Sequence, residues 1–201
     1  MSGKRLVLFD FDGTITTSDT MFLFTRDAVG ALRFLTGMAF LALPLTLHKL
    51  GFISAQKAKE IFLTHFFGGM DQSAFNKLGM TFAETRIAAF VRPAAAEAIR
   101  AHKQSGSRIV VVSASAQDWM KPWALSEGLE VLATRLEVVD GKITGKITGC
   151  NCNGEEKVNR IREHLTLSDF SQIVAYGDTK GDLPMLALAT EKHFKPFRDN
   201  K

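Results

Sequence analysis

A short apolar run near the N-terminus ends in two carboxylates, and this pattern limits the fold more than any other feature. Residues 6–9 are apolar throughout, which is typical of a strand buried on both faces. Asp10 and Asp12 follow directly, and at strand period their side chains point to the same side. Acids beyond the carboxyl end of a buried strand favour a ligand site at the edge of an open α/β sheet. Two solvated aspartates in an ordinary turn are the alternative.

Two later apolar runs also end in polar residues. Residues 108–113 are rich in β-branched side chains and end at Ser113, and residues 172–178 end at Asp178, with Asp182 shortly after. Because the carboxyl ends of parallel strands meet at one edge of a sheet, these side chains are expected near Asp10. The agreement of several strand ends makes the solvated-turn alternative improbable.

The order of the elements predicts a sheet interrupted by an inserted helical domain. Strands and helices alternate over 108–197, which indicates a parallel, doubly wound sheet. The helical patterns before residue 108 are too long for a simple crossover. Asp140-Gly141 between extended flanks predicts a hairpin over 136–145. The other predicted elements are helices over 21–29, 54–67, 71–89 and 94–104, helices near 119–123, from 155 and from 183, and short strands over 131–134 and 193–197.

We therefore expect an α/β fold: a Rossmann-like, doubly wound parallel sheet core with an inserted α-helical cap domain and a small β-hairpin. The predicted core comprises residues 1–16 and 87–201, and the predicted cap comprises residues 17–86.

Residues 34–47 carry no charge and are strongly apolar, with Arg33, His48 and Lys49 at the borders. This segment is shorter than the roughly 20 residues that a membrane-spanning helix needs. A packed cap helix is the favoured interpretation. An interfacial segment in contact with a bilayer, and a true span, remain as alternatives.

Composition excludes several classes of function. The net charge is +4, but the basic residues are scattered, so no nucleic-acid partner is expected. Cys150 and Cys152 form a single C-x-C motif without a second cysteine pair, and the histidines lie far apart in the sequence. This spacing argues against a zinc site. Free thiols and the lack of a signal-like segment favour the cytoplasm, with peripheral contact to the inner face of the membrane as an alternative. The oligomeric state stays open.

The predicted cluster suits phosphoryl transfer. Oxygen ligands without histidine or cysteine favour Mg²⁺. One carboxylate can attack phosphorus, and a second carboxyl group can protonate the leaving alkoxide and later deprotonate water. Lys157, near the start of a predicted helix, is a candidate cation for the transferring oxygens.

The sequence resembles the haloacid dehalogenase-like superfamily of aspartate-nucleophile phosphatases. Residues 10–14 read D-F-D-G-T, Ser113 and Lys157 stand in the places of the second and third motifs, and residues 177–182 read G-D-T-K-G-D. The helical insertion and the hairpin are similar to the phosphoserine-phosphatase-like subfamily I-B.

The resemblance implies a role for each of these residues. Asp10 is the nucleophile and a Mg²⁺ ligand, and Asp12 is the general acid/base and binds the metal through its carbonyl group. Asp178 is a metal ligand, and Asp182 supports the metal shell. The implied substrate- and phosphate-binding residues are Thr14, Asp19, Ser113, Ala114 and Lys157.

Three departures concern the substrate. Where phosphoserine phosphatases carry a glutamate this chain has Asp19, where they carry a cap arginine it has only Lys57 and Lys59, and Gly181 replaces an asparagine. A small, phosphoserine-like phosphomonoester is the expected substrate. Because the uncharged segment is similar to that of relatives acting on phosphatidylglycerophosphate at the membrane, a lipid phosphate is the alternative. A non-catalytic phosphate-binding protein is less favoured.

Overall fold

The computed structural model describes residues 4–198, and a parallel sheet lies at its centre. Five strands form this sheet in the order β3-β2-β1-β6-β7, and β4 and β5 form a separate antiparallel pair. The strands are β1 (Arg5–Phe9), β2 (Arg108–Ala116), β3 (Glu130–Thr134), β4 (Leu136–Val139), β5 (Lys142–Ile147), β6 (Gln172–Gly177) and β7 (Glu191–Phe194). The predicted α/β fold with a doubly wound sheet and a small hairpin is confirmed.

Five of the helices fall where the sequence predicts an insertion. They are α1 (Thr20–Val29), α2 (Ala31–Phe40), α3 (Ala42–Lys49), α4 (Ala55–Phe67), α5 (Gln72–Thr85), α6 (Pro93–Gln104), α7 (Gln117–Ser126), α8 (Glu155–His164) and α9 (Leu183–Ala187). Helices α1 to α5 all lie between β1 and α6 in the chain. The division into a core and a cap at residues 17 and 86 stays a prediction.

The predicted helix over 71–89 is wrong at its end. Helix α5 ends at Thr85, and a separate 3₁₀ turn covers Ile87–Phe90. The chain leaves the helix because it must return to the segment after β1, where the Thr17 amide donates to the Phe90 carbonyl at 2.8 Å. The predicted strand over 193–197 is also wrong in its bounds, because β7 covers Glu191–Phe194. The positive φ of Lys195 (54°) ends the extended backbone there.

Aromatic packing joins the inserted helices to one another and to α7, the helix that follows β2. Phe24 of α1 stacks on Trp119 of α7 with ring centroids 4.9 Å apart, and it also contacts Phe67, Phe75 and Phe82. A second apolar cluster covers the opposite face of the sheet and includes Leu6, Leu8, Val110, Val112 and Ile161. Burial on both faces explains why β1 and β2 are continuous apolar runs rather than alternating ones.

The hairpin is attached to the inserted helices. Asp140 and Gly141, both with positive φ (49° and 72°), form its turn, as predicted. At Gly145 a Cβ atom would lie 2.3 Å from the backbone of Thr64, so a side chain there would force β5 away from α4. The Ile143 amide also donates to the Met70 carbonyl at 2.8 Å. The hairpin thus packs against α4 and hydrogen-bonds to the segment that follows it.

Residues 34–47 do not form one packed helix. The chain bends by 58° between α2 and α3. Pro44 lies in the first turn of α3, where a proline without an amide proton is tolerated. The inner side packs against α4 and buries Leu41, whereas most of the outer side is exposed. Among residues 4–198, no single helix has the length and hydropathy of a membrane span, although this bent pair meets both criteria when taken together.

Candidate active site

Three carboxylates converge at the carboxyl edge of the sheet. Asp10 directly follows β1, Asp178 follows the adjacent strand β6, and Asp182 lies in the 3₁₀ turn before α9. One oxygen from each carboxylate lies within 4.8 Å of the others. All three side chains are buried or nearly so, so their mutual repulsion must be balanced by cations nearby.

Lys157 provides one such cation. Its Nζ donates to Asp10 Oδ1 and to Asp182 Oδ1, both at 2.6 Å, and to the Val112 carbonyl at 2.8 Å. Burial disfavours the charged lysine, but the two carboxylates outweigh it and hold the pKa of Lys157 above its ordinary value. Burial raises the pKa of Asp10 to about 7, with Lys157 opposing the shift. Asp10 is therefore a carboxylate whose charge depends on its cationic neighbours.

Asp182 is anchored on both sides. Its second oxygen accepts hydrogen bonds from the Asp178 amide at 3.1 Å and from the Thr179 amide and hydroxyl, both at 2.8 Å. Burial opposes ionisation, but Lys157 and Thr179 hold the pKa of Asp182 below its ordinary value. The close approach needs Gly177, where a Cβ atom would lie 2.5 Å from the Asp182 Cβ. Asp182 is thus placed to fix Lys157 and the turn.

The carboxyl group of Asp12 is turned away from this trio. One oxygen accepts from the Thr20 amide at 2.8 Å and from the Thr20 hydroxyl at 2.7 Å, and the other accepts from the Ser115 hydroxyl. Trp119 Nε1 donates in turn to the Thr20 hydroxyl at 3.2 Å. The turn at Gly13 (φ 82°) makes this orientation accessible. Asp12 is held in one position at the rim of the cavity.

A cavity of about 1070 Å³ opens between the sheet edge and the inserted helices. The acids form its floor, and apolar side chains of the insertion form part of its wall. Those apolar residues are Met21, Phe22, Leu45, Ala55, Ala58 and Phe62.

Polar groups of the insertion also reach the cavity. Asp19 caps α1 by accepting from the Met21 amide at 2.9 Å, and burial together with the charge of Asp12 raises its pKa to about 6. Lys59 donates to the Ala114 carbonyl at 2.7 Å, whereas Lys57 is exposed on α4. Arg92 lines the cavity too, and its Nε is buried without a hydrogen-bond partner among the described residues.

The predicted phosphate-binding residues differ in their positions. Ser113 lines the cavity, and its hydroxyl accepts from the Ser115 amide at 3.0 Å. Ala114 lines the cavity with its carbonyl engaged by Lys59. Thr14 is not among the residues that line the cavity, and its phosphate-binding role stays a prediction. Its hydroxyl is fully buried behind the acids and donates to Asp178 Oδ1 at 3.3 Å. Thr14 therefore orients a carboxylate rather than lining the cavity.

Sequence reasoning missed Thr20, Ser115 and Arg198. Ser115 stands two residues after Ser113, so strand period places both on one side, but the predicted strand ended before it. Arg198 Nη2 lies 2.7 Å from Asp178 Oδ2. No local pattern indicates that contact, because it depends on the packing of Phe197 against Tyr176 (ring centroids 5.2 Å apart).

The donor set fits a hard divalent cation. The three clustered carboxylates offer only oxygen atoms, which Mg²⁺ and Ca²⁺ prefer over softer ligands. Cys152 is buried beside Leu132, where its Sγ lies 3.7 Å from the carbonyl oxygen, and Cys150 is exposed. The chemistry of the cluster thus matches the predicted cofactor, Mg²⁺.

Comparison with known proteins agrees with this geometry. Residues 7–187 match the model of a family described as haloacid dehalogenase-like hydrolase. Protein CicA of Caulobacter vibrioides is 34% identical over 198 residues, which covers 96% of this chain and 86% of CicA. A solved protein of unknown function from Bordetella pertussis has a TM-score of 0.81 at 25% identity, covering 95% of this chain and 89% of its own.

A phosphoserine phosphatase solved as an analogue of its phospho-aspartyl intermediate has a TM-score of 0.63 at 26% identity, covering 95% of this chain and 86% of its own. The family match spans most of the chain, including all the acids of the site. This chain therefore belongs to the haloacid dehalogenase-like hydrolases and is a phosphoric monoester hydrolase related to the phosphoserine phosphatases.

Proposed function

We propose that the protein hydrolyses a small phosphomonoester in a Mg²⁺-dependent reaction that passes through an aspartyl-phosphate on Asp10. One observation carries this proposal. Asp10 lies at the floor of the cavity, beside Asp178 and the buried Lys157, with Asp12 held at the rim. A nucleophile, a metal-binding pair, a cation and a second carboxyl group thus face one space. The solved intermediate analogue of the related phosphatase supports the same chemistry.

Asp10 and Asp178 would hold Mg²⁺, with the carbonyl group of Asp12 as a further ligand and Asp182 supporting the shell. When bound, the metal neutralises part of the repulsion between a carboxylate nucleophile and an anionic phosphate. Lys157 supplies a second positive charge at the same place, because it already contacts Asp10 Oδ1. Ser113 at the cavity wall is placed to bind a phosphate oxygen.

The first half-reaction transfers the phosphoryl group to the protein. A carboxylate oxygen of Asp10 attacks phosphorus and forms the new P–O bond while the ester P–O bond breaks. Asp12 gives its proton to the departing alkoxide, which leaves as an alcohol. The hydrogen bonds from Thr20 and Ser115 keep the Asp12 carboxyl group in one orientation throughout.

The second half-reaction regenerates Asp10. The ionised Asp12 takes a proton from water, whose oxygen attacks the phosphorus of the aspartyl-phosphate. The bond between phosphorus and the Asp10 oxygen breaks, and inorganic phosphate leaves with Asp10 restored as a carboxylate. Asp12 is protonated again and ready for the next substrate.

Charged groups of the inserted helices, together with Arg92 at the start of α6, support a small polar substrate. Asp19 presents a carboxyl group to the cavity, and Lys59 and Arg92 present positive charge. A metabolite carrying an ammonium and a carboxylate group, as phosphoserine does, would find an opposite charge for each. We assign the role of the cap arginine to Lys59 rather than Lys57, because Lys59 lines the cavity and Lys57 is exposed.

A lipid phosphate is the second candidate, and the apolar wall of the cavity favours it. Phe22, Leu45 and Phe62 line the side of the cavity formed by the inserted helices. Leu45 belongs to α3, the uncharged segment of the sequence. An acyl chain would be accommodated along this wall while the phosphate sits at the acids. Assays of phosphoserine, sugar and nucleotide monophosphates and phosphatidylglycerophosphate, run side by side, separate the two candidates. The cytoplasmic location stays a prediction.

Asp12→Asn is expected to reduce turnover by about 10² to 10⁴. Asparagine keeps an oxygen acceptor for Thr20, and its NH₂ group can donate to the Ser115 hydroxyl, so the side chain stays in place but neither donates nor accepts the catalytic proton. Steady-state hydrolysis of a generic aryl phosphate and Mg²⁺ titration by calorimetry provide the measurements. Mg²⁺ affinity within about twofold of wild type is expected, because the Asp12 carboxyl group lies outside the trio. Unchanged turnover would contradict the acid/base role.

Arg198→Ala is expected to raise the affinity for Mg²⁺ by roughly threefold to tenfold. The guanidinium group contacts Asp178 Oδ2 at 2.7 Å, so it competes with a cation for that carboxylate. Isothermal titration with Mg²⁺ measures the change. Arg86→Ala is the matched control, because Arg86 pairs with Asp27 on the surface. Equal or weaker affinity in Arg198→Ala would show that the arginine does not oppose the metal.

A further inference from the structure

Helices α2 and α3 present an apolar surface that nothing in the described residues covers. Six large hydrophobic side chains in and just after these helices are between 65% and 80% exposed. We call this set the α2–α3 apolar face. Its members are Leu32, Leu35, Phe40, Leu43, Leu50 and Phe52. Exposed apolar side chains this concentrated indicate a contact with another apolar phase.

Helical spacing places these side chains on the outer side. Leu32 and Leu35 are three residues apart on α2, and Leu43 and Leu50 are seven apart across α3, so each pair shares a face. The inner side is already occupied. At Gly37 a Cβ atom would lie 2.4 Å from the ring of Phe66, so α2 is seated directly on α4. The outer face cannot turn inward without giving up this packing.

The charge of the same segment is entirely positive. Between Asp27 and Glu60 the sequence contains no acidic residue. Arg33, Lys49 and Lys57 are all exposed there. Exposed apolar helices accompanied by basic residues and no acids match an anionic lipid surface, which takes up the apolar side chains and attracts the cations.

A second copy of the chain fits less well. A two-fold interface places the same patch on both sides, so each basic residue would approach the basic patch of its partner. A true span is also disfavoured, because ten-residue α2 and eight-residue α3 rise about 15 Å and 12 Å at 1.5 Å per residue. Each is well below the roughly 30 Å hydrocarbon thickness of a bilayer. The 58° bend between them keeps the pair from forming a straight span of that length.

We infer that the α2–α3 apolar face docks on an anionic bilayer and lies in its interface without crossing it. The surface is independent of the proposed chemistry, since none of its six side chains lines the cavity. The opposite side of α3 does line the cavity through Leu45 and His48. Docking therefore brings the mouth of the site close to the lipid surface.

Vesicle co-sedimentation of the full chain tests the apolar half of this inference. Vesicles of phosphatidylcholine with phosphatidylglycerol are compared with vesicles of phosphatidylcholine alone. Wild-type protein is expected to sediment with the anionic vesicles, and Phe40→Ser/Leu43→Ser is expected to lose at least about fivefold of that binding. Leu125→Ser/Val139→Ser is the matched control, because both residues are half exposed elsewhere and should leave binding unchanged.

A charge-reversal pair tests the electrostatic half. Lys49→Glu/Lys57→Glu is expected to weaken binding to anionic vesicles at least about threefold. Lys77→Glu, a change at an exposed position of α5, should leave binding unchanged. Failure of the wild type to bind anionic vesicles would overturn the inference, as would equal binding of the Phe40→Ser/Leu43→Ser variant. A dimer in analytical ultracentrifugation that the same variant dissolves would assign the face to a second copy instead.

Hydrolysis of a soluble aryl phosphate, measured in the same preparations without vesicles, reports on the proposed chemistry separately. The surface variants should retain wild-type rates. Loss of vesicle binding with full hydrolysis therefore concerns the docking face alone, and lack of hydrolysis in the wild type concerns the proposed function alone.

Discussion

Asp10→Asn is expected to lower the turnover of a generic aryl phosphate by about 10⁴ or more while the protein stays folded. The amide of asparagine is a poor nucleophile, so the aspartyl-phosphate cannot form. Its side-chain oxygen still accepts from Lys157, which also keeps its contacts with Asp182 and the Val112 carbonyl. Steady-state assays with Mg²⁺ measure the loss. Asp169→Asn, an exposed change of the same chemistry, is the control. Substantial residual turnover would exclude Asp10 as the nucleophile.

The same variant makes a prediction about stability and pH. Burial raises the pKa of Asp10 to about 7, from an ordinary value of 3.8. The folded protein therefore binds this proton more tightly than the unfolded chain, so the group lowers the free energy of unfolding as pH rises from about 4 to 7. Asparagine does not titrate. In the absence of metal, the melting temperature of Asp10→Asn relative to wild type should rise between pH 5 and pH 8. If the difference in melting temperature between Asp10→Asn and wild type does not change with pH, Lys157 fully offsets the effect of burial on the pKa of Asp10.

The acids and the sheet were predictable because their signals are local. An apolar run followed by Asp10 and Asp12 depends only on neighbouring residues, and the same holds for the run that ends at Asp178. General rules for parallel sheets then bring these strand ends to one edge. The Asp140-Gly141 turn is equally local, since positive φ at both positions favours these two residue types.

The parts that sequence reasoning missed depend on contacts between distant residues. Arg198 reaches Asp178 only because Phe197 packs against the sheet, and α5 ends at Thr85 only because Phe90 must pair with Thr17. The hydrogen bond from the Thr14 hydroxyl to Asp178 Oδ1 likewise joins residues 164 positions apart. The exposure of Phe40 is also not local. An uncharged apolar run does not by itself indicate whether its side chains are buried in the protein core or exposed at the surface.

Lys157→Met is expected to lower the free energy of unfolding by about 3–5 kcal/mol in the absence of metal, because it removes one partner of a buried ion cluster. Methionine matches the length of the side chain, so little cavity forms. Asp10 and Asp182, each 2.6 Å from Nζ in the wild type, would then face each other without their shared cation. Chemical denaturation at pH 8 measures the loss, and Lys146→Met, an exposed change in β5, is the control.

The dependence on pH and on metal separates this electrostatic cause from simple loss of packing. Without Lys157, the pKa of both carboxyl groups in the folded state rises. That of Asp10 moves further above its unfolded value, and Asp182 loses the main cause that holds its pKa down, so the stability of the variant falls more steeply as pH rises. The deficit of Lys157→Met should therefore be smaller at pH 5 than at pH 8. Mg²⁺ should also stabilise the variant more than the wild type, since a divalent cation between Asp10 and Asp178 compensates for part of the lost charge. Turnover should still fall by about 10² or more, because the lysine that contacts Asp10 no longer stabilises the transferring phosphoryl group. A deficit independent of both pH and Mg²⁺ would assign Lys157 a packing role alone.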